Sequence, residues 1–440
     1  MDMLMNPVVL SVLVMIILCL LKLNIILALL ISAVVAGVSA GMPLAGDGSV
    51  MQVLIDNMGG QSETALSYVL LGCLAMALSQ TGITSVLCDK LKKIVKGRRF
   101  FLLLLLAVCS CLSQNLIPIH IAFIPILIPP MLSLFNELKI DRRAVACALT
   151  FGLKAPYIAI PAGFGLIFHG ILSTEMAKSG IHIAKTDVWH YTWMLGLSMV
   201  FGLLIAIFIS YSRKREYEDR PLQGLEDVGN RTEFSPKDLI TLVALVIAVY
   251  VQLHYDSMPL GVLAALVLMF LFGALRWGNI EKAMTGGLGI MGMIAIIMLV
   301  ASGYGGVIRA TNAVDHLVNG VVAMVGGSQF YGALLMLLVG LLVTMGIGTS
   351  FGTIPVVAAI YCPLGLKLGF SPASVCCLLA AAAALGDAGS PASDSTLGPT
   401  SGLNFDGQHD HIWDTCVPTF LHYNLTLIVG GMVCALMIFH

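Results

Sequence analysis

Apolar runs alternate with short polar breaks along the whole chain. Apolar segments cover roughly 6–21, 23–42 and 64–87. Lys22 and Asn24 mark the first turn, and 43–63 is a polar connection holding Asp47, Asp56, Asn57 and Glu63. Residues 100–135 are long enough for two passes. They break at Ser113-Gln114-Asn115 and carry Pro118, Pro125, Pro129 and Pro130, which predicts a hairpin. A span over 144–173 is interrupted at Gly152-Leu153-Lys154-Ala155-Pro156, and 191–211 closes this half. After a polar stretch, 213–237, the order recurs. Spans at 238–255, 259–275 and 284–309 lead to a semi-polar, partly helical 310–329. A hairpin over 330–368 breaks at Gly348-Thr349-Ser350-Phe351-Gly352, a span covers 372–400, and a last helix covers 415–438. Apolar runs of about 18 to 25 residues in this number read as transmembrane helices.

The span over 372–400 loses its apolar character at Gly386-Asp387-Ala388-Gly389-Ser390-Pro391, and the polar run continues to Ser401. Glycine and proline there predict that the helix unwinds. Unwound backbone at membrane depth persists only where it is buried in protein or lines a wet cavity. The alternative is a polar loop just outside the bilayer.

Basic residues set the orientation. Residues 89–99 carry Lys90, Lys92, Lys93, Lys96, Arg98 and Arg99; 136–143 carries Lys139, Arg142 and Arg143; 213–237 opens with Arg213-Lys214-Arg215. The positive-inside rule places all three loops in the cytoplasm and both termini outside. The first broken span then runs inward to outward and the second outward to inward, the arrangement of an inverted repeat. The expected organisation is a first repeat over 1–212, a cytoplasmic linker over 213–237 and a second repeat over 238–440. The fold class expected is an all-α polytopic membrane protein with two inverted-topology repeats, each with a re-entrant hairpin and a broken helix. The N-terminus lacks a charged leader region and a cleavage site, so it reads as a retained first helix.

Composition narrows the function classes. Of 440 residues, 58% are hydrophobic and 11% charged, a balance no ordinary soluble domain has. A net charge of −1 points away from nucleic acid as a partner. The eleven cysteines are scattered without a CxxC pair and read as small buried apolar residues.

Candidate chemistry lies at the breaks. Asp387 and Asp394, with the hydroxyls of Ser390, Ser393, Ser395 and Thr396, offer hard oxygen ligands for Na+. A carboxylate there can instead carry a proton; a hydrogen-bonded helix cap is the bland alternative. Lys154, in the matching break, can neutralise an aspartate or meet a substrate carboxylate, or it snorkels to an interface. Gln114 and Asn115 at the first hairpin tip, and Thr349 and Ser350 at the second, offer polar groups beside half-helix termini. Helix–helix hydrogen bonding is the alternative for these four. His120 follows the first break and titrates near neutrality when unperturbed. His409-Asp410-His411 is weak as a metal motif. No resident cofactor is called for, only a coupling ion, Na+ or H+.

At these motifs the sequence resembles the NhaC-like sodium/proton antiporter family. The residues that carry the resemblance are Gln114 through His120, Gly348 through Thr353 and Gly386 through Ser401. Asp406 through Thr415 resembles a subgroup described as amino-acid permeases, with histidine among the substrates considered. The resemblance implies paired hairpins and two interrupted helices around one site. It also implies ion-coupled transport across the cytoplasmic membrane by an elevator-like mechanism, as antiport or as amino-acid symport. Related elevator-like transporters are commonly dimers, so a homodimer is the implied assembly, with the bilayer and a small solute or ion as partners. A channel and an intramembrane enzyme are the minor alternatives.

Overall fold

The computed structural model describes residues 5–21, 23–81, 98–115, 124, 128–218, 220, 235–255, 257–347, 349–391 and 393–439. Among the described residues all regular structure is helical, with no strand. The first half contains α1 (Pro7–Leu20), α2 (Ile25–Ser39), α3 (Val50–Met58), α4 (Ser62–Thr81), α5 (Arg99–Asn115), α6 (Leu132–Glu137), α7 (Arg142–Ala159), α8 (Phe164–Ala177) and α9 (Trp189–Ser210). The second contains α10 (Pro236–Tyr255), α11 (Met258–Leu271), α12 (Ile280–Ala310), α13 (Val314–Met324), α14 (Gln329–Ile347), α15 (Ser350–Lys367), α16 (Pro372–Ala384), α17 (Asp394–Leu403) and α18 (His411–Ile438). Among the described residues six helices are long and apolar enough to cross a membrane, or seven if α7 with α8, bent by 48°, counts as one span; α3 and α4 count together as one of the six.

Local chemistry fixes the helix starts. Asn24, Ser49, Asp141, Ser257 and Ser371 each cap a helix by accepting from a backbone N–H in its first turn. Within the polar connection over 43–63 the chain adds a helix: Ser49 caps α3, whose Val50 and Leu54 are buried. One expectation is corrected. The break in the first half is not at Gly152–Pro156. Helix α7 runs through Pro156, because the Ile160 amide still reaches the Pro156 carbonyl at 2.8 Å. It stops at the following Pro161 and at Gly163, whose φ of 57° an L side chain disfavours.

Equivalent helices of the two halves pack against each other in opposite directions. Asn57 and Gly60 lie beside Gly306 and Ser302, while Gly72 and Met76 lie beside Gly287 and Gly286, so α3–α4 runs antiparallel to α12. A Cβ on Gly72 would stand 2.5 Å from the Gly287 carbonyl oxygen, so this seam is backbone on backbone. Contacts of Ser198 with Gly430 and of Gly202 with His422 set α9 antiparallel to α18. The broken pairs follow the same rule. Arg142 meets Leu403, Thr150 meets Ser395 and Lys154 meets Asp387, one chain rising as the other falls. An inverted repeat has this internal geometry.

Helix α16 forms the centre: every residue from Val375 to Ala384 is 1% exposed or less. A helix apolar on all sides is stable only when wrapped. Large apolar side chains such as Phe208, Ile209, Val246, Tyr250 and Met437 instead face outward from α9, α10 and α18, as lipid-facing residues do.

Charge gathers at one end. Arg142, fully buried, makes a two-pronged pair with Asp406 (2.7 and 2.6 Å) and also donates to the Asn136 and Leu403 oxygens. Arg215 pairs with Asp414 at 2.9 Å, and Gln408 exchanges two hydrogen bonds with the Glu218 backbone. A surface cleft brings Arg98 and Arg99 beside Glu137 and Lys214. The described parts of the three basic loops thus share one end of the molecule. Elsewhere, buried Glu175 accepts from Gln61, Lys178 and, across the halves, Arg309.

Candidate functional site

The second broken helix opens where the sequence predicts. After Ala384 the chain leaves helical geometry, and Gly386 (φ 81°) and Gly389 (φ 110°) take up angles only glycine adopts freely. A Cβ on Gly386 would sit 2.5 Å from the Leu341 oxygen, so the backbone here lies directly on α14. The freed backbone groups are satisfied by α18. Asn424 accepts from the Gly386 amide and donates to the Ala388 carbonyl, both at 2.9 Å.

The break presents Asp387, 1% exposed, to the first half. Four donors converge on its carboxylate. The Lys154 ammonium and the Ser350 amide (2.9 Å) and hydroxyl (2.6 Å) meet Oδ2, and the Ser393 hydroxyl meets Oδ1. Ser350 begins α15, so the carboxylate also lies at the positive end of a helix dipole. The anion that this half-helix terminus faces is therefore one of the protein's own side chains. Since the Ser350 hydroxyl donates to Asp387, the Tyr157 hydroxyl 2.7 Å away donates to Ser350.

The remaining hydroxyls hold the loop together. Ser390 donates to the Met345 carbonyl (3.1 Å) and Ser395 to the Asp387 carbonyl (3.1 Å). Thr396 donates to the Ser390 and Ser393 carbonyls. Ser393 caps α17, and Thr150 of α7 donates to the Ser395 carbonyl at 2.7 Å. Asp394, first residue of α17, differs from Asp387: its side chain is exposed, yet within Coulomb range of Lys154 and Asp387. The centre thus has a sealed carboxylate and an open one. The sealed side is aromatic. Phe351 lies 5.0 Å from Tyr157, 5.7 Å from Tyr68 and 5.8 Å from Phe168, ring centre to ring centre.

The structure therefore brings together Lys154, Ser350, Asp387, Ser390, Ser393, Ser395 and Thr396, with Asp394 at the rim and Thr349 beside the α15 start. Gln114 and Asn115 end α5, and their side chains, like His120 and the first hairpin tip, lie outside the described residues. Tyr157, Thr150, Asn424 and Phe351 join the site without having been singled out from sequence. Asn424, an amide inside an apolar run, was the one detectable signal; Tyr157 follows Pro156 within an apolar run, and Phe351 was noted only as part of the Gly348–Gly352 break. Among the described residues no group of three or more histidine, cysteine or acidic side chains could hold a metal ion.

Known proteins match along the whole chain. A profile of the Na+/H+ antiporter family covers residues 148–436, and a second profile of that description covers 6–95. An uncharacterized membrane protein of Vibrio parahaemolyticus is 45% identical over 445 residues, covering 99% of this chain and 100% of that one. The candidate amino acid transporter YuiF of Bacillus subtilis is 43% identical over 409 residues, covering 89% and 91%. Two solved structures share the fold at 16% identity: the Alcanivorax borkumensis YdaH transporter, with a TM-score of 0.64 and 97% of each chain covered, and Neisseria gonorrhoeae MtrF, described within a class of antimetabolite efflux pumps, with a TM-score of 0.59 and 98% and 95% covered. The reading as a multi-pass membrane transporter, and not an enzyme, agrees with these relatives. With most of its length matched by profile and nearly all of it by close relatives, the chain belongs to the Na+/H+ antiporter family.

Proposed function

We propose that the chain moves a small solute across the membrane by alternating access, driven by a Na+ or H+ gradient, with Lys154 and Asp387 as its coupling centre. Residues 1–212 and 238–440 act as the inverted repeats, joined by 213–237. The observation that carries this reading is the buried Lys154–Asp387 pair at the meeting of both broken helices and the α15 terminus. An ion pair out of water is costly unless fully bonded, and such pairs at membrane depth mark pathways. Here the lysine ammonium stands where a coupling cation would. Na+ entering at Asp387 takes the place of that ammonium and finds the Ser350 and Ser393 hydroxyls and the Asp387 carbonyl as hard oxygen ligands. A proton entering there neutralises the carboxylate and likewise releases Lys154. Asp394, on the open side, receives the cation first.

The amino-acid symport reading draws on the likeness to YuiF. A released Lys154 meets a substrate carboxylate, and Asp394 meets an ammonium. The test is purified protein in liposomes with imposed Na+ or pH gradients, screened against cations and amino acids. Gradient-driven, saturable movement of a solute supports the proposal. Conduction without saturation, or no dependence on either gradient, sinks it.

A further inference from the structure

His409, in the segment linking α17 to α18, and His411, the first residue of α18, are joined by an unbroken chain of hydrogen bonds. His411 Nε2 lies 2.9 Å from the Pro391 carbonyl oxygen, inside the helix break. His411 Nδ1 lies 2.8 Å from the Thr400 hydroxyl, which lies 2.9 Å from the Thr415 hydroxyl. The Thr415 hydroxyl lies 2.7 Å from His409 Nε2. Thr415 is fully buried and His409 is 2% exposed, whereas His411 is half-buried.

The hydrogens follow from the heavy atoms. A carbonyl only accepts, so His411 Nε2 carries a hydrogen directed at Pro391. The Thr400 hydroxyl donates to Thr415. His411 Nδ1 therefore faces the lone pairs of Thr400 and needs a hydrogen of its own. Thr415 in turn has its hydrogen for His409 Nε2 when His409 is the Nδ1–H tautomer. In its cationic form, with hydrogens on both nitrogens, His411 begins a chain in which every further link points toward His409.

We propose that His411, Thr400, Thr415 and His409 form a proton path between the helix break at Pro391 and the charged end of the molecule. In the transfer the His411 Nδ1–H bond breaks and Thr400 gains that proton. Thr400 gives its own to Thr415, and Thr415 gives its own to His409 Nε2. One positive charge has then moved from His411 to His409, with no atom left over. His409 Nδ1 is buried and has no hydrogen-bond partner among the described residues, so it is the end from which the proton leaves. The charges that face it are Asp414 of α18, Arg142 and Asp141 at the start of α7, and Arg215 after α9. Burial pushes His409 down to about 4, so it carries the proton in passing and does not store it. Nothing in the Lys154–Asp387 centre requires this chain. Its use in coupling rests on the transporter reading, but its hydrogen arrangement does not.

The test uses full-length protein in liposomes, comparing wild type with Thr400→Val, Thr415→Val, the double variant, and the serine variants Thr400→Ser and Thr415→Ser. Valine keeps the shape and removes the hydroxyl; serine keeps the hydroxyl. A Na+ gradient is imposed and lumenal pH is followed with a trapped dye, at equal amounts of folded protein. The valine variants are expected to lose proton movement by on the order of a hundredfold, the low end of what a positioned proton-transfer group contributes. The serine variants retain it. Wild-type proton movement in the valine variants overturns the path. A second measurement stands apart from transport: nitrogen NMR of histidine-labelled protein in lipid. Acid is added until His411 carries both nitrogen protons; a hydrogen bond from its Nδ1–H to Thr400, with His409 still neutral, is expected. A His411 Nδ1–H with no hydrogen bond to Thr400, or a His409 that protonates first, overturns the path whatever the flux. Wild-type liposomes that move no proton, together with the expected NMR pattern, leave the hydrogen-bonded path in place and remove Na+/H+ exchange from the transporter reading instead.

Discussion

Lys154 and Asp387 lie 233 residues apart and form one buried ion pair, with side chains 9% and 1% exposed. Removing one partner leaves the other charge stranded. Lys154→Met and Asp387→Asn are each expected to cost about 3–5 kcal/mol of stability. The double variant should recover much of that cost, because no unpaired charge remains. Gradient-driven transport should not recover in any of the three. Thermal unfolding in detergent and uptake in liposomes, measured on the same preparations, check both halves. A double variant that transports at the wild-type rate would rule the pair out as the coupling centre.

Asp394 is separable from Asp387. It is exposed at the start of α17, where Ser393 already supplies the cap. Asp394→Asn should change stability by less than about 1 kcal/mol, the scale of an exposed charge near a helix terminus. Its expected effect is on apparent ion affinity, read as a shifted Na+ or pH dependence of uptake. An unchanged ion dependence would reduce Asp394 to a helix-terminus charge.

Gly389 tests the break itself. With φ at 110° and a would-be Cβ 2.6 Å from Phe420, alanine meets both backbone strain and a clash with α18. Gly389→Ala is expected to cost about 1–3 kcal/mol and to impair transport with Asp387 and Lys154 intact. Unfolding temperature and uptake together would show whether the backbone shape matters apart from the charges.

Arg142 and Asp406 give a pH prediction. Burial alone would raise the Asp406 carboxyl, but the hydrogen bonds and charge of Arg142 outweigh it and hold the group below the usual carboxylate range. A lowered folded value means the stabilisation is complete above the unfolded value of about 4 and is lost as pH falls through the folded value. Asp406→Asn should therefore be destabilised by about 3–5 kcal/mol near neutrality, since Arg142 stays buried. The gap to wild type should close as pH drops below about 4. Unfolding curves taken across that range decide it; a gap constant with pH would contradict the assignment.

The end of the molecule that gathers Arg142, Arg215 and Asp406 should face the cytoplasm. Single cysteines at Glu218 and Gln408, in a background without the eleven native ones, are expected to resist a membrane-impermeant label in intact cells and to react in inverted vesicles. Labelling of either from outside would invert the topology.

The layout of spans and the second break could be read from sequence, because apolar length and the Gly-Pro punctuation act locally. Asp387, Ser350 and Lys154 stood out for the same reason: a charge or hydroxyl within an apolar run is conspicuous. The first break was misplaced because Pro156 removes one hydrogen bond without stopping a helix whose next amide still finds its carbonyl. Helix α3 went unseen because its nine residues are too few, and too polar around Asp56 and Asn57, to show a period. Tyr157, Thr150 and Asn424 join the candidate site only through partners far away in sequence, and no local pattern encodes that.

Helix α18 holds the break by both ends. Asn424 grips Gly386 and Ala388, and His411 grips Pro391. The shape around Asp387 is thus not a property of its own sequence alone; it is also held by a helix that emerges after it during synthesis. A nascent chain completed only as far as Ser401 has both aspartates and every serine of the break and still lacks its template. Proteins shortened before residue 411 should therefore insert and yet present a collapsed, inactive centre, and a swap of α18 between relatives should succeed only when the asparagine and the histidine travel with it.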